Sequence, residues 1–281
     1  MQTIRTLDLL RSGLADMRGD GSRIALVPTM GALHAGHMAL VEAARRSGTK
    51  VIASIFVNPK QFGPNEDLSR YPRREAADAR LLAEHGCDLL WLPPVEAMYP
   101  ADFATNISVG GVSEGFDGGA RPGHFDGVAT VVTKLFNQTG ADIAYFGEKD
   151  YQQLAVVRRF VADLDMPIEI VGVPTQRDDD GLALSSRNIY LDDEQRAKAV
   201  ALPRALGVAA RAIGRGDDDD AALAEARAML VAAKFEVDYI ALADAETLAA
   251  NPAPNRPRRL LAAARMGTTR LIDNVAIEAN C

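Results

Sequence analysis

Cysteine is scarce in this chain: among 281 residues only Cys87 and Cys281 carry thiols. Two are too few for a disulfide framework, and no Cys/His group has the spacing of a zinc site. Cys87 lies beside an apolar run, where a thiol acts as a small buried hydrophobe. Long hydrophobic runs are missing too. No stretch reaches about 18 apolar residues, so nothing reads as a membrane span. The opening segment MQTIRTLDLLRSGL carries Arg5, Asp8 and Arg11 and lacks the apolar centre of a secretory signal, which predicts a cytoplasmic protein. Positive charge is in deficit. With a net charge of −7 and a pI near 5.2, no bulk field favours wrapping nucleic acid. An anionic ligand would need a local cluster of positive groups. The chain holds only four histidines, so any place where two fall together stands out.

What is present is the composition of a cored globular protein, 48% apolar and 25% charged. Apolar, β-branched runs at 24–29, 51–58, 88–92, 143–147 and 168–174 alternate with segments at 38–46, 74–85, 128–137 and 151–164. In the latter, apolar residues recur at i, i+3 and i+4. Such alternation implies right-handed crossovers and a parallel sheet covered on both faces. Near-continuous apolar strands such as VIASIFV suit a sheet without a wet face. The expected fold is therefore α/β, a doubly wound (Rossmann-like) parallel sheet over residues 1–175, with ligands beyond the carboxyl ends of its strands. After that the pattern changes to helices at 192–212 and 221–234 around an acidic, helix-capping turn at 217–220. Strand-like runs follow at 237–243, 259–265 and 269–272. A smaller C-terminal α+β lid domain over 176–281 is expected. The stretch 109–127, with seven glycines and Pro122, reads as a long loop, either a functional lid or disordered.

Four segments carry chemistry. Pro28-Thr-Met-Gly-Ala-Leu-His34-Ala-Gly-His37 follows the first run and opens the first helix, where backbone N–H groups and the helix dipole collect phosphates. His34 and His37, three apart, share a helical face and can donate to phosphate oxygens. Gly36 between them clears space for a base or ribose. The bland alternative is a glycine-rich turn with two exposed histidines. Gly147-Glu148-Lys149-Asp150 ends the 143–147 run; its lysine can neutralise phosphate, and its aspartate can bind a nucleotide hydroxyl or a metal-bound water. An ordinary turn with an acidic cap would look the same. Gln152 and Gln153 come next, and either could orient a polar substrate. In Asp180-Gly-Leu-Ala-Leu184-Ser185-Ser186-Arg187-Asn188, two hydroxyls and a guanidinium make a further phosphate surface, or a loop with a serine cap. Phe56-Val-Asn58-Pro-Lys60-Gln61-Phe62 leaves the second run with Asn58 and Gln61 available to substrate hydroxyls, or is a plain loop. Each segment sits at or just after a strand end, so together they point toward one crevice.

With NEDLSRYPR, LPPVEAMYP, RPGHFDGVATVVTKLF and the late TTRLIDN, these segments resemble, nearly end to end, the pantoate–β-alanine ligase family of the HxGH nucleotidyltransferase superfamily. The resemblance implies a two-step enzyme: ATP and (R)-pantoate give pantoyl adenylate and pyrophosphate, then β-alanine displaces AMP. It implies that Met30, Gly31, Ala32, Leu33, His34, Ala35, Gly36 and His37 hold ATP, with both histidines on its phosphates. Gly147, Glu148, Lys149 and Asp150 would contact the adenosine and phosphates, and Gln176 the adenine through its backbone. Leu184, Ser185, Ser186 and Arg187 would close over the triphosphate. Catalysis would rest on His34, His37, Lys149 and Arg187, pantoate binding on Gln61 and Gln153, and β-alanine binding on Gln61. Mg2+ with ATP and a homodimer formed through the N-terminal domain are implied; no side-chain metal ligand is. Lys60 departs from a common small hydroxyl residue, Gln176 from an aliphatic one, and Leu184 from Met, a near-isosteric exchange. No residue stands out as base for the amine. Rival readings are an adenylyltransferase that keeps the nucleotide on its product, and a nucleotide-sensing module without turnover. A tRNA-charging fragment is disfavoured by the acidic balance.

Overall fold

Six parallel strands form the sheet on which everything else in the first half of the chain is hung. They belong to a computed structural model that describes residues 1–64, 66–250 and 252–277. Cys281 and the Asn65 of NEDLSRYPR lie outside the described residues. In chain order the elements are β1 (Gln2–Ile4), α1 (Leu7–Arg18), β2 (Ile24–Thr29), α2 (Ala35–Arg46), β3 (Lys50–Ile55), α3 (Glu75–Glu84), β4 (Leu89–Trp91) and α4 (Val95–Met98). Then come α5 (Phe116–Ala120), α6 (His124–Thr139), β5 (Ile143–Gly147), α7 (Tyr151–Asp163) and β6 (Glu169–Val173). The sheet order is β1-β4-β3-β2-β5-β6, with every pairing parallel.

Strand order reverses between β2 and β5, the switch point at which doubly wound sheets open toward a ligand. The ladder there is short. β2 and β5 pair only at Ala25↔Ile143 and Leu26↔Ala144, so 27–29 and 145–147 run on without pairing each other. Pro28, with no N–H, is tolerated in a central strand because that side of the ladder has already ended. Beneath, Val27, Val41, Val51, Ala53, Leu82 and Leu90 pack into a buried cluster with Cys87. Burial pushes the Cys87 thiol up to about 11, which makes it a packing residue rather than a nucleophile.

The chain groups into two compact units. The first takes Met1–Gly110, Arg121–Glu148 and Val156–Pro174; the second takes Gly111–Ala120, Lys149–Ala155 and the chain from Thr175 on. In the second, α8 (Asp193–Ala199), α9 (Ala201–Gly214) and α10 (Asp219–Ala232) precede an antiparallel sheet of β7 (Glu236–Asp244), β8 (Arg258–Met266) and β9 (Thr269–Ile277). Its core is Leu202, Leu206 and Ile213 of α9 against Leu230, Leu260, Ala262 and Leu271. Asp218 caps α10 by accepting from Ala221 N at 2.7 Å, the role expected of the acidic turn.

Four differences from the sequence reading have local causes. Strand β1 was not anticipated, because three residues are too few to show a period. The single helix expected over 192–212 breaks at Val200: Pro203 has no N–H for the Ala199 carbonyl. The long loop over 109–127 contains α5 and the start of α6, whose glycines had argued against helix. Strand β9 runs to Ile277 rather than 272, since Asp273 and Asn274 are buried in it at 2% and 3% exposure.

At the end of β7, burial opposes ionisation of Asp244, but Thr247 N, Arg256 and Glu246 N outweigh it and hold the carboxyl at about 2. A depressed folded-state pKa contributes stability above the ordinary carboxyl value of about 3.9, lost as pH falls through the folded value. The melting temperature of Asp244→Asn should therefore lie below that of the native chain at about pH 5. That gap should close as pH falls toward about 2. A gap that stays constant with pH in melting curves would refute the assignment.

Candidate active site

The turn after β2 is built on one buried carboxylate. Asp78 of α3, 3% exposed, accepts from Ala32 N and Leu33 N, each at 2.9 Å. This holds Ala32 at φ +50, a left-handed conformation that a residue with a Cβ adopts only under such restraint. Gly31, at φ +84, precedes it, and a Cβ there would sit 3.1 Å from the same carboxylate. Its N–H donates to Thr29 Oγ1, while that hydroxyl donates to Ser54 O on β3.

From that turn α2 starts with a reciprocal cap made of two histidines. Gly36 N donates to His34 Nδ1 at 3.2 Å, and His34 N donates to His37 Nδ1 at 3.3 Å. The ring centroids lie 4.2 Å apart. Because both Nδ1 atoms accept, the hydrogen of each neutral ring sits on Nε2. Backbone donors of Gly31, Ala32, Leu33, His34 and Gly36 thus all have protein acceptors. The backbone N–H groups on which the phosphate-collecting expectation rested are engaged within the protein, while the helix dipole remains.

Gln61 is held from two sides in the 3-10 turn Pro59–Gln61. Asn58, fully buried, donates from Nδ2 to Gln61 Oε1 at 2.9 Å and to Gly127 O at 3.0 Å. Its Oδ1 accepts from Tyr99 OH and Lys60 N. Every position of the Asn58 amide is therefore engaged inside the protein; it braces Gln61 and is not the substrate donor the sequence suggested. The brace also fixes Gln61: with Oε1 accepting, its Nε2 is the end left to donate to a ligand. The Gln61 carbonyl accepts from His124 Nδ1 at 2.8 Å and Arg121 Nη2 at 3.2 Å. Arg121 is anchored in turn by a two-pronged pair with Glu66, both contacts at 2.7 Å. Burial opposes ionisation of Glu66, but the guanidinium outweighs it and holds the carboxyl below its usual range. Arg121 and His124, within the RPGHFDG segment that ends the 109–127 stretch, thus hold the Gln61 turn. Lys60, the departure from a small hydroxyl residue, sets its ammonium 5.0 Å from the Phe103 ring centre and 5.4 Å from that of Tyr99.

In the second unit Lys149 and Asp150 follow β5, with Nζ 3.7 Å from the Asp150 carboxylate. Of the two glutamines opening α7, Gln152 is a brace. Its Nε2 donates to Val112 O, Glu114 O and Gly115 O, and its Oε1 accepts from Asp117 N. Gln153, half-buried, is left as the glutamine for a substrate. The stretch 176–184 is a hairpin: Leu184 N donates to Gln176 O, Asp178 N donates to Leu182 O, and Arg177 bridges Ala183. Ser185 Oγ then accepts from Arg187 N, capping the short turn Ser186–Tyr190. The serine cap foreseen as the bland alternative is real, and it sets the backbone from which Arg187 projects. Among the described residues no group of three or more His, Cys, Asp or Glu side chains could hold a metal ion. Among them, too, no helix is long and apolar enough to cross a membrane.

Comparison with known proteins places the chain in a family. A family model described as pantoate-beta-alanine ligase matches residues 2–276. The pantothenate synthetase of Rhizorhabdus wittichii is 66% identical, covering 99% of each chain. That of Sphingopyxis alaskensis is 56% identical over 99% of this chain and 100% of its own. A crystal structure of pantothenate synthetase from Thermus thermophilus superposes with TM-score 0.94 at 49% identity, covering 99% of each chain. A pantoate-beta-alanine ligase from Francisella tularensis, complexed with beta-gamma ATP and beta-alanine, has TM-score 0.83 at 32% identity, covering 100% of this chain and 99% of that one.

Gly127 decides whether the Gln61 turn can sit where it does. A Cβ at this position of α6 would lie 2.2 Å from Lys60 O and 2.6 Å from Lys60 C, both backbone atoms. Gly127→Ala should cost about 1–3 kcal/mol or more in urea unfolding, as overpacking does. An unchanged unfolding midpoint would show that the turn retreats freely and is not fixed by this contact.

Proposed function

The chain belongs to the pantoate–β-alanine ligase family, and from that membership we propose that it condenses (R)-pantoate with β-alanine to pantothenate at the expense of ATP. In the first step a pantoate carboxylate oxygen bonds to the α-phosphorus of ATP and pyrophosphate leaves. In the second, the amine of β-alanine attacks the acyl carbonyl of pantoyl adenylate, loses its proton, and AMP departs. The observation that carries this reading is the histidine pair: the cap fixes two Nε2–H donors side by side at a helix N-terminus.

An attacking carboxylate needs alignment and relief from repulsion by the polyphosphate, and no protein nucleophile. His34 and His37 donate to phosphate oxygens, while Lys149 and Arg187 supply positive charge. The 30–37 turn, 147–150, Gln176 and 184–187 bind ATP. Gln61, its Nε2 turned outward by Asn58, donates to pantoate and then meets β-alanine; Gln153 also binds pantoate. Mg2+ would enter with ATP, with Asp150 available to a nucleotide hydroxyl or a metal-bound water. The ion supplies charge neutralisation on the pyrophosphate leaving group. A homodimer formed through the N-terminal unit and a cytoplasmic location complete the reading.

Purified enzyme with ATP should release AMP only when pantoate and β-alanine are both present, as followed by chromatography. Pyrophosphate without AMP would instead mark an adenylyltransferase that keeps the nucleotide on its product. His37→Ala should lower single-turnover pyrophosphate release roughly 10²–10³-fold, as loss of a transition-state donor does. His37→Gln, whose amide can still cap the helix, should melt like the native chain and lose a similar factor. A native single-turnover rate in both variants would remove His37 from the chemistry.

A further inference from the structure

The late TTRLIDN motif has no task in the reaction just described, yet two of its polar residues are among the most deeply buried in the second unit. Asp273 is 2% and Asn274 3% exposed on β9. Asn274 Nδ2 donates to the carbonyl of Lys149 at 2.9 Å. Its Oδ1 accepts from Arg259 Nε at 2.7 Å, and that guanidinium stacks 4.0 Å from the centre of the Tyr151 ring. Tyr151 is pinned in turn by its hydroxyl, which donates to Ala245 O at 2.8 Å. The residues on both sides of the Lys149–Tyr151 corner are therefore gripped through one amide.

The neighbouring carboxylate extends the grip to the hairpin. Asp273 receives Arg177 in a two-pronged pair at 2.7 and 2.8 Å and accepts from Asn274 N at 2.7 Å. Arg177 follows Gln176 and also donates to Gly181 O at 3.0 Å, across the hairpin that leads to Ser185 and Arg187. A buried polar group must be satisfied or it destabilises the fold. Here Asn274 holds the backbone of one segment to which the ATP role falls, and Asp273 holds the other through the side chain of Arg177.

We propose that Asn274 is a positioning residue for the adenylate-forming step, acting through Lys149, with Asp273 tying the 176–187 segment to the same point on β9. The proposal rests on the reading that Lys149 meets the triphosphate. Asn274 touches no substrate. It sets where the backbone at Lys149 stands, and so where the ammonium at the end of four methylenes can reach. Asn274→Asp keeps an acceptor for Arg259 but replaces the donor to the Lys149 carbonyl with an oxygen that repels it.

The test is a double-mutant cycle read by single-turnover pyrophosphate release with ATP and pantoate, with melting curves on every variant. Asn274→Asp should lose roughly 10- to 100-fold, the scale of a small misplacement in a reacting complex. Adding it to Lys149→Ala should cost less than about twofold more, because its target is already gone. A native rate in Asn274→Asp, or losses that multiply in full, would overturn the proposal while leaving Lys149 in its role. An undiminished rate in Lys149→Ala alone would reject the underlying reading, and the proposal with it. Should the new carboxylate prevent folding, Asn274→Ala takes its place with the same outcomes.

Discussion

The turn between β2 and α2 depends on the carboxylate of Asp78. Without it, the N–H groups of Ala32 and Leu33 would be stranded beneath the turn, and Ala32 would have no reason to hold a left-handed backbone. The histidine cap begins one residue later. Its geometry inherits whatever precision that carboxylate imposes, which lies on a helix more than forty residues downstream. A buried carboxyl group therefore sits under the segment to which the ATP role is proposed, accepting from the backbone N–H groups of Ala32 and Leu33. Helix-terminal anion sites usually spend their backbone donors on the ligand. This one spends the backbone donors of residues 31–34 and 36 within the protein, so the phosphate contacts proposed above fall to the imidazoles.

The same division recurs elsewhere. Asn58 and Gln152 are buried amides whose polar atoms hold neighbouring chain, and each stands near a glutamine assigned to substrate. Bracing residues and binding residues alternate along the chain, three apart in one case and adjacent in the other. Rigid placement of a reactive group needs its own orientation locked by neighbours. Asn58 supplies that lock for Gln61, whereas Gln152 holds the backbone of 112–117. Tautomer assignments follow the same logic: His34 and His37 accept at Nδ1, whereas His124 donates there to Gln61 O.

Periodicity revealed the sheet because a strand buried on both faces must be mostly apolar, and β2, β3 and β5 are, Ser54 and Thr29 being small polar exceptions. It was blind where burial is polar. β9 looked finished at 272 because Asp and Asn read as turn residues, yet these two are inside and satisfied. Only the first turn of helix α6 was hidden, by glycines that argue for loop; Gly127 is there because Lys60 O comes too close for any side chain. Which of two neighbouring polar residues faces a ligand was equally hidden. Asn58 and Gln61, or Gln152 and Gln153, are alike as residue types, and only the hydrogen-bond network separates them. The order of segments along the chain did anticipate the topology, which places the loops after β2 and β5 at the reversal of strand order.

The locked orientation of Gln61 has a bearing on inhibitor chemistry. A side-chain amide ordinarily swivels to suit either polarity of visitor, but rotating this one would face its NH2 against the NH2 of Asn58 deep inside the fold. Compounds that bring a carbonyl, sulfonyl or carboxylate oxygen to that spot meet a ready donor. Those that bring a hydroxyl as donor, or an ammonium, meet mismatched hydrogens. At the pantoate position proposed for Gln61, selectivity toward acceptor-bearing acids would thus follow from a contact inside the fold.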